Sequence, residues 1–252
     1  MPSELPLLVK RVKRRKPKLL IVAGGDGTVS YVAGHLVKTG IEMGVIPLGT
    51  TNNFARSIGL APDIDNAVKV IAECPARPVD IGMVNRRYFA NVTGVGVSAE
   101  IAERVTDGIK KRYGRFAYVV TGFSVLMNHK PFRAVVADKD GELQLNLETH
   151  QLIIANGRFH AGREIAQDAK VDNRELIVFA IGGRSRLSLL WHMVDFYIGR
   201  RKSVQHSSYL IAKNIRISTD TPMSLEMDGE VQMTTPIRAK VAADAILVRC
   251  RK

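Results

Sequence analysis

The five residues Leu19-Leu20-Ile21-Val22-Ala23 bear no charge and end on Gly24-Gly25. A run that short cannot cross a bilayer, which takes ~18 apolar residues. It shows no alternation either, so it reads as a strand buried on both faces. From Val29 onward the apolar residues Val29, Val32, Ala33, Leu36 and Val37 fall at helical spacing, so a helix starts within a few residues of the strand's end. Strand, glycine turn and helix make an α/β unit. Gly44-Val45-Ile46-Pro47-Leu48 repeats the pattern as a second short strand, a loop Gly49-Thr50-Thr51-Asn52-Asn53 follows, and the residues around Ala67 to Ile71 supply another helix. A parallel sheet with crossover helices is therefore expected over residues 1–80.

Beyond Asp80 the texture changes. Val79 to Val84, a turn at Asn85-Arg86-Arg87 and Tyr88 to Val92 read as a β-hairpin. Helical stretches follow at about Ala99 to Ile109 and Phe116 to Asn128, the second closed by Pro131. Short strands with turn signals come next: Arg133 to Ala137, Leu143 to Leu147, Gln151 to Ala155, Leu176 to Ile181, Ile211 to Ser218, Met223 to Met227 and Ile237 to Val241. One helix, Leu187 to Gly199, interrupts them. The series predicts a second, mostly antiparallel domain over residues 81–252, its last few residues packing back on the first.

Charge narrows the partners. The chain of 252 residues holds 37 Lys+Arg against 24 Asp+Glu, a net +13 that favours a polyanion. Residues 1–80 hold 11 bases and 7 acids, residues 108–137 hold 6 bases and no acid, and residues 184–216 hold 7 bases against Asp195 alone. Seven of the nine residues from Lys10 to Lys18 are basic, a density expected to resist helix formation and to form a solvated or polyanion-binding arm. Cys74 and Cys250, far apart and in no Cys-x-x-Cys spacing, argue against a disulfide framework or a zinc site and fit a reducing, cytoplasmic setting. None of the six histidines pairs with another at helical spacing, so no metal or triad role falls to them. The short apolar stretch Leu5 to Val9, followed at once by the basic cluster, does not read as a signal peptide.

Two strings could carry chemistry. In Gly24-Gly25-Asp26-Gly27-Thr28 the glycines let the backbone turn tightly and approach a ligand, the helix start favours phosphate, and Asp26 can hold a magnesium-bound phosphate oxygen. The string is neither a Walker A motif nor the dinucleotide fingerprint. Asp228-Gly229-Glu230, between two short apolar runs, reads as a hairpin turn presenting two carboxylates.

Taken with Pro47-Leu48-Gly49-Thr50-Thr51-Asn52-Asn53-Phe54-Ala55-Arg56, the first string resembles the catalytic domain of the diacylglycerol kinase and bacterial lipid kinase family, to which sphingosine kinases are similar. Further matches run in order: Tyr88-Phe89-Ala90-Asn91-Val92 with Gly94 and Gly96, Asn156-Gly157-Arg158 with Gly162, and Asp228-Gly229-Glu230. The resemblance implies an NAD-kinase/diacylglycerol-kinase-like α/β domain followed by a β-sandwich. It implies a kinase using ATP and Mg²⁺ on a lipid hydroxyl, with an NAD kinase-like activity or a catalytically weak binding relative as the alternatives. A nucleic-acid binder would explain the charge but not the motifs.

Carried onto this sequence, the family's nucleotide loop falls on Gly24, Gly25, Asp26, Gly27, Thr28, Val29 and Ser30, with Thr50 as a further ATP contact. Its proton acceptor falls on Glu230, with Asp228 as neighbour or metal partner, and Asn52, Asn53 and Arg56 read as contacts to phosphate or lipid head group. Asn53 stands where many relatives carry Asp. The family's structural Mg²⁺ site falls on Asn173 and the carbonyls of Lys170 and Glu175, where a neutral amide beside cationic side chains predicts weak or absent binding. Relatives place one more strand, turn and helix ahead of the first glycine string, and this chain offers only the basic arm. A lipid kinase without a span docks on an anionic membrane, and the aromatic helices Phe116 to Asn128 and Leu187 to Gly199 are the candidates. The first, apolar all round, is expected rather to cover the second domain's sheet, and the second, with Trp191, to meet the membrane. Peripheral association with the inner face of the membrane follows, and a homodimer is compatible with it.

Overall fold

A computed structural model describes residues 4–105, 117–160, 163–164, 170–182, 209–228 and 230–251. In chain order, helix α1 (Leu5–Arg15), strand β1 (Leu19–Gly24), α2 (Asp26–Leu36), β2 (Glu42–Pro47), α3 (Asn53–Ser57), α4 (Ile64–Glu73), β3 (Ala76–Val84) and β4 (Arg87–Phe89) come first. There follow β5 (Val92–Gly96), α5 (Val97–Arg104), α6 (Ala117–Asn128), β6 (Phe132–Asp138), β7 (Leu143–Thr149), β8 (Gln151–Ala155), β9 (Phe159–His160) and β10 (Arg163–Glu164). The chain ends with β11 (Leu176–Ile181), β12 (Tyr209–Ala212), β13 (Asn214–Thr219), β14 (Ser224–Met227), β15 (Glu230–Thr234) and β16 (Ile237–Arg249). The expected helix Leu187 to Gly199 with Trp191, the basic residues before α6, and Gly162 and Gly229 lie outside the described residues. Among the described residues no helix is long and apolar enough to cross a membrane.

Two compact units share the chain. Met1–Val92, Ala155–Leu176 and Lys240–Lys252 form the first, Thr93–Ile154 and Ile177–Ala239 the second. Where the sequence suggests one border near residue 80, the backbone passes between units at Val92, Ile154, Leu176 and Ala239. The reason is pairing: β16 runs thirteen residues rather than the five expected, and its far end lies parallel to β2 with Leu247 opposite Glu42 and Val248 opposite Met43.

In the first unit β1 pairs parallel with β2 in register from Leu19 opposite Glu42 to Gly24 opposite Pro47, β16 joins β2, and β3 joins β16 and β4. Four of the six residues of β2 are buried. Helix α4 lies so close to it that a Cβ on Gly44 would come within 2.9 Å of Ile71 Cγ1. The core gathers Val22, Val29, Val32, Leu36, Met43, Val45, Phe54, Val70, Ile81 and Val248.

The basic arm is a correction: residues expected to repel one another form helix α1. Leu5, Val9 and Val12 recur at helical spacing and pack on the core, with Val9 only 4% exposed. The bases project into water, Lys13, Arg14 and Arg15 complement the dipole in the last turn, and left-handed Lys16 closes the helix through its N–H to the Val12 carbonyl. Screened repulsion on the wet side is smaller than what the apolar stripe gains.

Asp80, on β3, ties the first unit's three chain segments together. It is 1% exposed. Its Oδ1 accepts from the Asp244 backbone N–H at 2.8 Å and its Oδ2 from the Arg174 N–H at 2.7 Å. Its own N–H donates to the Val171 carbonyl, and its carbonyl accepts from Asn156 Nδ2 at 3.0 Å. Arg174 and Asp244 have φ of 59° and 49°, a left-handed backbone that side chains disfavour, and both spend that strain on aiming an N–H at one carboxylate.

The second unit is antiparallel in every pairing described. Its six-stranded sheet runs β12-β11-β8-β5-β14-β15, and β13, β6 and β7 form a second group. The stretch Ile211 to Ser218, expected as one strand, is split: β12 lies in the first sheet and β13 in the other group. The expected hairpin strand Tyr88 to Val92 stops at Phe89, and Val92 opens β5 instead. Helices α5 and α6 pack on each other, joined by a 2.7 Å contact between Glu100 Oε1 and buried His129 Nδ1.

Burial raises the Asp80 carboxyl above its ordinary 3.8, outweighing the two N–H donors that pull it down. Asp80→Ala, which removes the acceptor of two part-buried N–H groups, should cost about 1–3 kcal/mol in urea unfolding. A raised carboxyl contributes stability that is full below the ordinary range and is lost as pH rises through its folded value. The stability gap between wild type and non-titrating Asp80→Asn should therefore narrow from pH 3.8 upward, measured across a pH series.

Candidate active site

Gly24 and Pro47 end two adjacent parallel strands in register, so the loops after β1 and β2 emerge side by side at the strands' carboxyl ends. That edge is where open α/β sheets bind ligands. The Leu48 N–H donates to the Gly24 carbonyl at 3.1 Å, closing the loops on each other. The approach is tight enough that a Cβ on Gly49 would stand 2.6 Å from Gly25 Cα, so position 49 has room for hydrogen alone.

Asp26 joins the loops. Its Oδ2 accepts from Thr51 Oγ1 at 2.8 Å and its Oδ1 from the Phe54 N–H at 3.0 Å. Helix α2 begins at Asp26 without a side-chain cap, and its first intrahelical bond runs from the Val29 N–H to the Gly25 carbonyl. The N–H groups of Asp26, Gly27 and Thr28 thus have no helical partner, the arrangement that suits an anion.

The residues expected at this site fall into two sets. Gly27 and Thr50 are exposed, and Gly24, Gly25, Asp26, Thr28 and Arg56 are half-buried, all beside the paired loops. Val29 and Ser30 are buried in α2, where Ser30 Oγ accepts from the Ala90 N–H, so neither side chain reaches the loop surface. Asn52 and Asn53 are also buried, 6% and 8% exposed. Asn52, left-handed at φ 49°, accepts from the Gly49 N–H and donates to the Gly49 carbonyl, both at 2.8 Å. Asn53 Nδ2 donates to Thr51 Oγ1, and Arg56 Nε donates to the Thr51 carbonyl at 3.0 Å. Read from sequence as phosphate or head-group contacts, Asn52 and Asn53 instead build the loop from inside.

Two later motifs converge on α3. The Asn91 carbonyl accepts from the N–H groups of Asn156 and Gly157, at 2.8 and 3.1 Å. Ser57 Oγ donates to Asn91 Oδ1 at 3.4 Å, and Asn156 Nδ2 donates to the Asp80 and Ala90 carbonyls. Asn91 Nδ2 and Asn156 Oδ1 are buried without a hydrogen-bond partner. Sequence reasoning missed Ser57, and missed Thr51 as the centre of the loop's bonding; no short-range spacing announces either.

In the second unit β14 and β15 form a hairpin with Met227 directly opposite Glu230, and left-handed Asp228 (φ 49°) opens its two-residue turn. Glu230 is thus the first residue of β15. At the expected structural metal site, Asn173 Oδ1 accepts from the Glu175 N–H at 3.2 Å and its Nδ2 donates to Glu175 Oε2 at 3.3 Å. A neutral amide already engaged in this way, between exposed Lys170 and Arg174, does not fit a hard divalent cation.

The sheet of the first unit is mixed rather than all parallel, since β3 and β4 pair antiparallel. Such a sheet with glycine loops at the carboxyl edge of its parallel strands, followed by an antiparallel domain, is the architecture of the NAD kinase and lipid kinase class. The diacylglycerol kinase catalytic domain matches residues 2–84, and the YegS C-terminal NAD kinase beta sandwich-like domain matches residues 91–250. The chain belongs to the diacylglycerol kinase family, whose members make it a lipid kinase in kind. It is 33% identical over 217 residues to a diacylglycerol kinase of Staphylococcus epidermidis, covering 84% of this chain and 67% of the relative. With the diacylglycerol kinase of Bacillus subtilis the identity is 30% over 225 residues, 88% and 74% covered. A diacylglycerol kinase crystal structure from Bacillus anthracis superposes with a TM-score of 0.77 at 24% identity, covering 96% and 82%. Yeast NADH kinase shares the fold at 0.54 and 14%, covering 94% of this chain and 62% of that one.

Gly49→Ala forces the loops apart at Gly25 Cα. It should lower the melting temperature by several degrees, about 1–3 kcal/mol, whereas Thr50→Ala, on an exposed residue, should leave it unchanged.

Proposed function

We propose that this chain transfers the γ-phosphate of ATP to a hydroxyl of diacylglycerol or a sphingoid-like lipid. The observation that carries the reading is the Asp26 bridge, which ties the loop that carries exposed Thr50 to the start of α2, where N–H groups lack helical partners. Phosphoryl transfer asks mainly for positioning and charge neutralisation, and a glycine loop at a helix start supplies both.

In this reading the N–H groups of Asp26, Gly27 and Thr28 hold phosphate oxygens, Thr28 and Thr50 donate hydroxyls, and the half-buried Arg56 guanidinium adds positive charge. Asp26 fits a magnesium ion that arrives with the nucleotide, since each carboxylate oxygen keeps a lone pair beyond its present bond. Among the described residues no group of three His, Cys, Asp or Glu could hold such an ion alone. Bound there, Mg²⁺ would neutralise phosphate charge. By resemblance Glu230 accepts the proton of the attacking lipid hydroxyl, and Asp228 stands beside it in the turn.

The test offers labelled ATP and Mg²⁺ with diacylglycerol, a sphingoid base and NAD in separate arms. Labelled lipid from wild type, cut by about 10²–10⁴ in Glu230→Gln with ATP affinity retained, supports the proposal. Label on NAD would move the chain to the NAD kinase-like alternative. Label nowhere, with ATP still bound, would leave the catalytically weak relative.

A further inference from the structure

Helix α1 presents an outer face made for an anionic surface. Leu5, Val9 and Val12 turn inward, and the helix packs on α2, which fixes its orientation on the first unit. Opposite them Leu7 is 68% exposed, with Leu8 at 47%. Lys10, Arg11 and Arg14 follow Leu7 at three, four and seven residues, so they share its face and ring it with positive charge. Lys13, Arg15, Lys16 and Lys18, all exposed, extend the patch. Between Leu5 and Lys18 there is no acid, and no carboxylate among the described residues pairs with any of the seven bases.

We infer that the outer face of α1 docks this protein on an anionic lipid bilayer, with Leu7 and Leu8 entering the head-group boundary and Lys10, Arg11 and Arg14 meeting lipid phosphates. Charge alone would admit a nucleic acid as well. The two leucines decide between them: at the centre of a basic face they have no partner in a phosphate backbone, whereas at a bilayer surface they reach hydrocarbon. A lone exposed leucine is ordinary, but two beside seven bases, with Glu4 at the helix start the one acid next to them in sequence, match the pattern of an interfacial helix. The inference gives the lipid kinase reading its membrane contact and rests on that reading for its purpose only. Binding is measured without ATP or lipid substrate, so either can fail alone.

The experiment sediments the full chain with vesicles of phosphatidylglycerol and phosphatidylcholine, with phosphatidylcholine alone as the neutral arm. Wild type should pellet with the anionic vesicles, remain in solution with the neutral ones and detach in high salt. Lys10→Glu/Arg11→Glu/Arg14→Glu should weaken binding at least about 100-fold, at about fivefold for each base lost near the surface. Leu7→Ser should weaken it about fivefold with the charge intact. Circular dichroism checks that the helix persists, and the milder Lys10→Gln/Arg11→Gln/Arg14→Gln replaces the reversal if it does not. Equal pelleting of wild type and the triple variant would overturn the inference. So would tighter binding to a DNA duplex that Leu7→Ser leaves unchanged, which would assign the face to nucleic acid.

Discussion

A single buried carboxylate holds the first unit in one piece. Asp80 reaches Asp244, 164 residues ahead in sequence, and Arg174, 94 ahead, through backbone N–H groups alone. Because both donors are main chain, what the carboxylate fixes is the path of two segments rather than the pose of two side chains. The segment after β8 and the end of β16 arrive from the far side of the second unit in sequence, and each is anchored at a left-handed residue. Arg174 and Asp244 also meet side chain to side chain at 2.7 Å, but that pair is exposed and adds little beside the buried bonds.

The loops after β1 and β2 use the same device at smaller scale. Asp26 binds a hydroxyl and an N–H of the second loop, and Asn52 closes that loop on itself through Gly49. Polar residues turned inward leave the outer surface to backbone N–H groups and a few hydroxyls. A surface of main-chain donors at a helix start favours an anion through many weak partial charges rather than one strong ion pair.

Much of this was legible in the chain, for reasons that differ by element. The helical spacing from Val29 reports local burial, and local burial survives as pattern. The uncharged run Leu19 to Ala23, which reads as buried on both faces, instead forms a strand with Val22 buried and Ile21 51% exposed. The hairpin at Asp228 was legible because left-handed backbone selects few residue types. Helix α1 is hidden by its charge density, which masks the stripe of Leu5, Val9 and Val12 beneath it. The burial of Asn52 and Asn53 is not legible because a polar side chain looks the same in sequence whether it faces ligand or backbone. The role of Asp80 was invisible, since its partners are backbone groups far down the chain and any residue type can offer an N–H.

The position of β16 has one more consequence. The strand that lies against β2 is made of residues 240–249, while β2 itself is complete by residue 47. On the ribosome the first unit must therefore wait, its sheet unpaired along β2 and its Asp80 bare, while the whole of the second unit is synthesised. Vectorial folding from the amino end cannot finish this protein, and the first unit's sheet is complete only when its youngest strand threads home.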